Sequence, residues 1–177
     1  MIWFFKPYAL NKELAIAYNE YCEVVPDNDW ICLLDGDSMF LESDYGHIIQ
    51  SYINKYPECK LFIPTTNRVK RKFQCYKGVI SEEPNIKTHR KISKNIRKSF
   101  DIKDLSSKKS ISMPCFIFSK KTWQEVGGFK NTGRVGGVDL SFSKKVLKIG
   151  PCYRMKGLYL FHYYRMCEGI KNNKHLF

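Results

Sequence analysis

The chain has 177 residues, of which 44% are apolar and 27% charged, and its net charge is +13. A chain of this length can bury a full hydrophobic core, and an aromatic share of 15% excludes a disordered tail. No apolar run approaches the roughly 18–20 residues of a membrane span, and the first residues lack the basic region of a signal peptide. The composition therefore predicts a single cytoplasmic domain over residues 1–177.

The excess positive charge is concentrated in the middle of the chain. Residues 60 to 109 hold 15 Lys and Arg against four acids. A basic insertion over about 68–109 favours polyanionic partners, and we expect peripheral contact with the anionic inner face of the cell membrane. No helix-turn-helix, RNP-like or zinc pattern occurs, so no specific nucleic-acid binding is predicted. A solvated loop and helix face is the alternative, and the oligomeric state stays open.

Strands and helices are predicted to alternate along the chain, which is typical of the α/β class. Both faces of 30–34 are apolar, which suits a buried strand of a parallel sheet. In chain order we expect a strand at 1–6, a helix capped by Asn11, a strand at 30–34, a helix capped by Ser43, a strand at 61–63 ended by Pro64, a helix at about 86–100, a strand at 114–118, a helix capped by Ser119, a helix at 138–147 and a strand at 157–164.

Two carboxylates, Asp35 and Asp37, directly follow the predicted buried strand. Their i, i+2 spacing places both on one side of the chain, and open α/β sheets bind ligands at the carboxyl ends of their strands. Gly36 between them leaves room for a phosphate or a sugar. Carboxylates with open coordination positions suit Mg²⁺ or Mn²⁺ shared with substrate phosphates. The pair predicts a metal site, and a solvated strand-end turn is the alternative.

Four short stretches, in this order, resemble the sugar-nucleotide-dependent glycosyltransferases of family 2. They are Ala-Ile-Ala-Tyr-Asn at 15–19, Trp-Ile-Cys-Leu-Leu-Asp-Gly-Asp at 30–37, Val-Gly-Gly-Phe at 126–129 and Gly-Val-Asp-Leu at 137–140. The resemblance implies a GT-A fold, a Rossmann-like sandwich with a central, mostly parallel sheet. The N-terminal part is expected to be abbreviated, because only about ten residues precede the first helix. Val138 stands where the family often has Glu.

The same resemblance implies roles for individual residues. Asp37 would ligate the metal directly, Asp35 would hold metal and ribose, and His162 would be a third ligand in the last strand. Asp139 would be the general base that deprotonates the acceptor hydroxyl. The ordinary alternatives are a helix-dipole or capping role for Asp139 and a core or surface histidine at 162. Expected sugar or ribose contacts are Asn11, Asn19, Thr65, Thr66 and Asn67. One of Arg154, Lys156 and Arg165 is expected to contact the diphosphate, and plain surface charges are the alternative.

The predicted function is a metal-dependent, inverting glycosyltransferase. It would use Mn²⁺ or Mg²⁺ and move a sugar from a nucleotide-sugar donor to a hydroxyl of a glycan or glycolipid acceptor. Two alternatives stay open. One is a degenerate, transferase-like protein that binds a sugar or a partner without turnover, and the other is a polyanion-binding protein that uses the basic middle segment.

Overall fold

A computed structural model of the protein describes residues 1–9, 13–132 and 137–166. Strands and helices alternate through these residues, which confirms the predicted α/β class. The elements are β1 (Ile2–Phe5), α1 (Leu14–Glu23), β2 (Trp30–Leu34), β3 (Ser38–Phe40), α2 (Tyr45–Lys55), β4 (Leu61–Thr66), α3 (Ile86–Ile96), β5 (Ile102–Asp104), β6 (Cys115–Ser119), α4 (Lys120–Glu125), α5 (Val138–Val146) and β7 (Cys152–His162). Two short 3₁₀ turns, Lys72–Gln74 and Tyr76–Gly78, precede α3.

The strands form one mixed sheet in the order β1-β2-β6-β4-β7-β3, and β5 pairs with the first half of β7. Strands β1, β2, β4 and β7 share one direction, whereas β6 runs against its neighbours β2 and β4. The carboxyl ends of β2 and β7 therefore lie at the same edge of the sheet. At that edge β3 pairs antiparallel with the end of β7, with Ser38 opposite His162.

Both faces of the sheet are covered, as the apolar run of β2 predicts. Ile31 and Leu33 belong to the core under α1 and α5, and Cys32 and Leu34 belong to the core under α2. The first three of these side chains are fully buried and Leu34 is 7% exposed. Because β2 is held on both faces, the residues that follow it start from a fixed position.

Several predicted boundaries were wrong. Pro64 does not end β4, which continues to Thr66. The pairing register with β7 shifts directly after Pro64, because proline has no backbone N–H to donate to the neighbouring strand. Ser43 does not cap α2, which begins after Asp44 without a side-chain cap. Helix α3 ends at Ile96 rather than near 100, and β7 begins at Cys152 rather than at 157.

Other boundaries agree with the pattern. Ser119 caps α4 by accepting a hydrogen bond from the Thr122 amide, as predicted. The short strands β3 and β5 were not predicted.

None of the helices in the described part of the chain is long and apolar enough to cross a membrane.

Candidate metal centre and cleft

The structure brings together three residues that the sequence singles out. His162 Nε2 lies 3.2 Å from Asp37 Oδ1 and 3.8 Å from Asp35 Oδ2. One ligand atom from each residue lies within 4.8 Å of those of the other two. The His162 side chain is 3% exposed, whereas those of Asp35 and Asp37 are 30% and 45% exposed. We refer to these three residues as the candidate metal centre.

The strand pairing explains this convergence. In the sheet, β6 and β4 separate β2 from β7. Residues 35–37 connect the end of β2 to β3, and β3 pairs with the last residues of β7. The amide of Tyr163 also donates to the carbonyl of Asp37 at 3.0 Å. The connection therefore carries Asp37 across the sheet edge to the side chain of His162.

The hydrogen bonds of His162 define which ring nitrogen faces the carboxylates. Nδ1 lies 2.8 Å from the carbonyl oxygen of Arg68, which can only accept, so Nδ1 carries a hydrogen. Nε2 is buried and has no hydrogen-bond partner among the described residues. It meets Asp37 either as an imidazolium N–H or as a lone pair that shares a cation with the carboxylate. A backbone-bound Nδ1–H is the usual arrangement for a ligating histidine.

The turn that carries both aspartates is fixed by Ser38. The Ser38 hydroxyl lies 2.9 Å from the carbonyl of Asp35 and 3.0 Å from that of Pro114. The Asp35 amide donates to the same Pro114 carbonyl at 3.2 Å. The turn is thus tied to the residue that precedes β6. Sequence reasoning missed Ser38, since nothing in a local pattern signals its contact with a residue 76 positions away.

The carboxylates of Asp35 and Asp37 repel one another beside the buried ring of His162. Burial raises the pKa of Asp35 to about 7, with smaller upward contributions from Asp37 and Asp139 and an opposing one from His162. At Asp37 burial acts upward too, but the contact with His162 and other favourable interactions leave its pKa below the usual value. Burial also raises the pKa of Asp139. A cation at this place would relieve the repulsion.

A cleft of about 360 Å³ opens beside the centre. Asp35 and His162 line it together with Asp139, so the predicted general base faces the same space as two of the predicted metal ligands. Its other walls include both apolar and polar groups. They are Leu14, Tyr18, Val69, Lys70, Ser112, Met113, Val138, Leu140 and Tyr164.

Asp139 lies in the first turn of α5, whose N-cap is Gly137. Its Oδ2 accepts a hydrogen bond from the Met113 amide at 3.1 Å. Its Oδ1 is buried and has no hydrogen-bond partner among the described residues. One oxygen therefore orients the carboxylate, and the other keeps its hydrogen-bonding capacity unused within the described residues.

Asn19 and Asn67 both have structural roles. Asn19 accepts from the Trp123 indole at 3.0 Å and from the Phe129 amide at 2.9 Å, and it donates to the Phe129 carbonyl at 2.9 Å. This commits its amide to the turn after α4, away from the cleft. Asn67 is committed to the backbone of His162, at 2.7 and 3.0 Å. Neither amide is brought to the cleft as a sugar contact.

The remaining predicted contacts fall in other places. Asn11 lies outside the described residues. Arg165 stacks its guanidinium 5.7 Å from the ring centre of Tyr164, a residue of the cleft wall. Arg154 and Lys156 line a second cavity that shares no lining residue with the cleft.

Two further hydroxyls are committed to the protein itself. Thr65 donates its hydroxyl hydrogen to the Met155 carbonyl at 2.9 Å, and Thr66 lies 3.4 Å from the Asn67 oxygen. Both residues are buried.

In comparisons with protein-family models and with curated proteins, the sequence has no match.

Proposed function

We propose that the protein is a metal-dependent glycosyltransferase with a GT-A fold, which moves a sugar from a nucleotide-sugar to a hydroxyl of a glycan or glycolipid. One observation carries this: the buried Nε2 of His162 lies 3.2 Å from an Asp37 oxygen and 3.8 Å from an Asp35 oxygen, beside a cleft that Asp139 also lines. The sheet supports the finer fold, because four of its strands share one direction and the centre lies at their carboxyl ends.

The side chains of the centre fit a divalent cation. One imidazole and two carboxylates are ligands that Mn²⁺ accepts, and Asp35, Asp37 and His162 would hold it. When bound, the cation would neutralise the negative charge of a diphosphate leaving group. The protein contributes the position of the ligands, through the Arg68 carbonyl behind His162 and the Ser38 hydroxyl behind Asp35.

Asp139 supplies the general base. Its Oδ1 would accept the proton of the acceptor hydroxyl, while the Met113 amide holds Oδ2 in place. Burial makes the carboxylate more basic than a solvated one, which favours proton transfer near neutral pH. A base that acts on the face opposite the leaving group gives inversion at the anomeric carbon, which is the outcome we expect.

The experiment is a pair of measurements on the same protein. The first is the melting temperature with Mn²⁺ and a set of nucleoside diphosphates, and the second is nucleotide release from the corresponding nucleotide-sugars. Binding at about 100-fold above Kd adds roughly 2.7 kcal/mol of stability. Asp37→Ala should abolish the metal-dependent shift. Asp27→Ala is the matched control, because Asp27 is exposed and contacts only Gln124 by hydrogen bond among the described residues.

The outcomes separate the candidate functions. A rise in melting temperature together with nucleotide release supports the transferase. A rise in melting temperature without nucleotide release, whichever donor and acceptor are supplied, supports the degenerate, binding-only form. Equal shifts in wild type and Asp37→Ala would remove the metal assignment. The polyanion-binding alternative draws on the exposed basic residues of α3, which include Lys87, Arg90, Lys91 and Lys94. It would be favoured by tight nucleic-acid binding that Mn²⁺ does not affect.

A further inference from the structure

A second cavity, of about 620 Å³, lies in the basic segment. Its walls come from the turn Tyr76–Gly78, the segment that follows α3 and the middle of β7. We call it the basic pocket and define it by Lys77, Lys98, Arg154 and Lys156, with Asp101 as the single carboxylate of the lining. It shares no lining residue with the cleft, so its ligand need not be the nucleotide-sugar donor.

An irregularity in β7 shapes this pocket. Pro64 pairs with Met155 but Thr65 pairs with Tyr159, so residues 156–158 bulge out of the ladder. Lys156 belongs to the bulge, and its amide donates to the Asp101 carbonyl at 3.0 Å. The bulge thus ties β7 to the segment after α3 and places Lys156 in the wall.

Gly157 closes the bulge against the segment after α3. A Cβ at Gly157 would lie 1.7 Å from the Ser99 carbonyl oxygen, so only glycine allows this approach. The Tyr52 hydroxyl lies 2.8 Å from the Gly157 amide and 3.0 Å from the Ser99 carbonyl. The wall that carries Lys98 is therefore anchored to the sheet.

Arg154 forms a fixed part of the lining. Its Nη1 donates to the carbonyls of Phe73 and Cys75 at 2.7 and 3.0 Å, which holds the guanidinium across the strand. Its Nε is buried and has no hydrogen-bond partner among the described residues. A buried guanidinium nitrogen without an acceptor is costly, and a negative charge held in the adjoining cavity would offset part of that cost.

Among the described residues, the lysines of the basic pocket take part in no ion pair. Within the described part of the chain, no carboxylate lies within 4.0 Å of the ammonium groups of Lys77, Lys98 or Lys156. The pKa of the neighbouring Lys103 is lowered by partial burial and then by the charges of Arg154, Lys108 and Lys156. The surroundings thus carry a concentrated positive potential.

We propose that the basic pocket binds a phosphate group of a phosphorylated ligand, at a site independent of the metal centre. Ammonium groups and a guanidinium offer charged N–H donors from several directions, which match the oxygens of a tetrahedral phosphate. A fixed strand bulge, a turn and the segment after α3 line the cavity, which is wide enough to admit a phosphate group together with the molecule that carries it. The phosphate is either that of a soluble ligand or that of a lipid headgroup.

The test is a titration of the full chain with inorganic phosphate and with pyrophosphate at low ionic strength. The pocket variant is Lys98→Met combined with Lys156→Met. The matched control is Lys91→Met combined with Lys94→Met, which removes the same charge from exposed positions of α3 outside the pocket. We expect saturable binding by wild type, weakening of about tenfold or more in the pocket variant, and a change below about twofold in the control. Equal weakening in both variants, or no saturable binding by wild type, would overturn the assignment.

Vesicles distinguish the two sources of the phosphate. Phosphatidylcholine vesicles that contain phosphatidic acid present a phosphate monoester, and those with phosphatidylglycerol present a diester. Retention on phosphatidic acid that the pocket variant loses and the control keeps identifies a headgroup. Pocket-dependent binding of inorganic phosphate without such retention identifies a soluble ligand. Asp37→Ala must bind phosphate as wild type does, which separates failure of this site from failure of the proposed transferase.

Discussion

The side chain of Asn67 hydrogen-bonds both the backbone amide and the backbone carbonyl of His162. Its Oδ1 accepts from the His162 amide at 2.7 Å, and its Nδ2 donates to the His162 carbonyl at 3.0 Å. The next residue, Arg68, uses its carbonyl to orient the imidazole through Nδ1 at 2.8 Å. Two consecutive residues after β4 therefore fix both the backbone and the ring of one candidate ligand.

The first prediction concerns this clamp. Asn67→Ala leaves a buried amide and carbonyl of His162 unpaired, so we expect about 1–3 kcal/mol lower stability in chemical denaturation. Loss of the positioning should also weaken Mn²⁺ binding about 10–100-fold, which calorimetric titration measures. Asn54→Ala is the control, since Asn54 is exposed and bonds only Gln50 by hydrogen bond among the described residues. Unchanged Mn²⁺ affinity in Asn67→Ala would show that His162 needs no such support.

The second prediction is a pH dependence of metal binding. The raised pKa of Asp35, about 7, means that the metal-free fold holds a proton there at slightly acidic pH. A metal must displace that proton, so Mn²⁺ affinity should fall as pH drops below about 7, by up to about tenfold per unit for one proton. The contribution of Asp35 to the stability of the metal-free fold changes with pH in the opposite direction, because it falls as the pH rises. The folded pKa lies above the unfolded value of 3.8, so Asp35 favours the fold at low pH and this contribution is lost as pH rises through 7.

Calorimetric titration of Mn²⁺ in buffers of different ionisation enthalpy measures the proton count directly. Release of about one proton per bound ion near pH 6, falling through pH 7 to almost none at pH 8, is the expected result. Asp35→Asn should remove this release, whereas Asp27→Asn should keep it. A wild-type affinity that does not change over that range would contradict a protonated Asp35 in the metal-free protein.

The third prediction concerns Asp139. Asp139→Asn keeps an oxygen that can accept from the Met113 amide but removes the proton acceptor, so folding should change little. Turnover should fall about 10²–10⁴-fold, while the affinity for Mn²⁺ and nucleoside diphosphate stays within about twofold. The measurements are nucleotide release in the presence of acceptor and titration of the nucleotide. Retention of more than about a tenth of the rate would assign Asp139 to holding the Met113 loop.

The fourth prediction concerns the turn that Asn19 holds. Gly127 and Gly128 both have positive φ, 67° and 64°, but a Cβ at Gly128 would lie 2.8 Å from Asn19 Oδ1 whereas one at Gly127 meets nothing within 4 Å. Gly127→Ala should therefore cost only the left-handed backbone strain, about 1–2 kcal/mol. Gly128→Ala should cost more, because it also displaces the Asn19 amide. Denaturation midpoints of the two variants measure the difference, and equal losses would show that Asn19 yields without cost.

How far the sequence predicts this molecule depends on how local each feature is. The apolar run of β2 and the two acids after it are local, so the strand and the position of Asp35 and Asp37 follow from the pattern. The pairing of β3 with β7 is not local, and a strand of three residues has too few positions to show a period. The clamp by Asn67 and the bond of Asn19 to Phe129 arise from contacts 95 and 110 positions apart. Pro64 does not end β4 as its residue type predicts, because a register shift in the pairing with β7 accommodates the missing amide hydrogen.

The route from β2 to β7 has a consequence for the order of events during folding. Asp35 and His162 are 127 positions apart, and they meet only when β3 has paired with the last residues of β7. A chain growing from its N-terminus will therefore have emerged as far as β6 before the three residues of the candidate metal centre can converge. Contacts of such long range form slowly because loop closure must precede them. The proposed Mn²⁺ site should therefore form only once β7 is in place, and a chain shortened before β7 should not bind the ion.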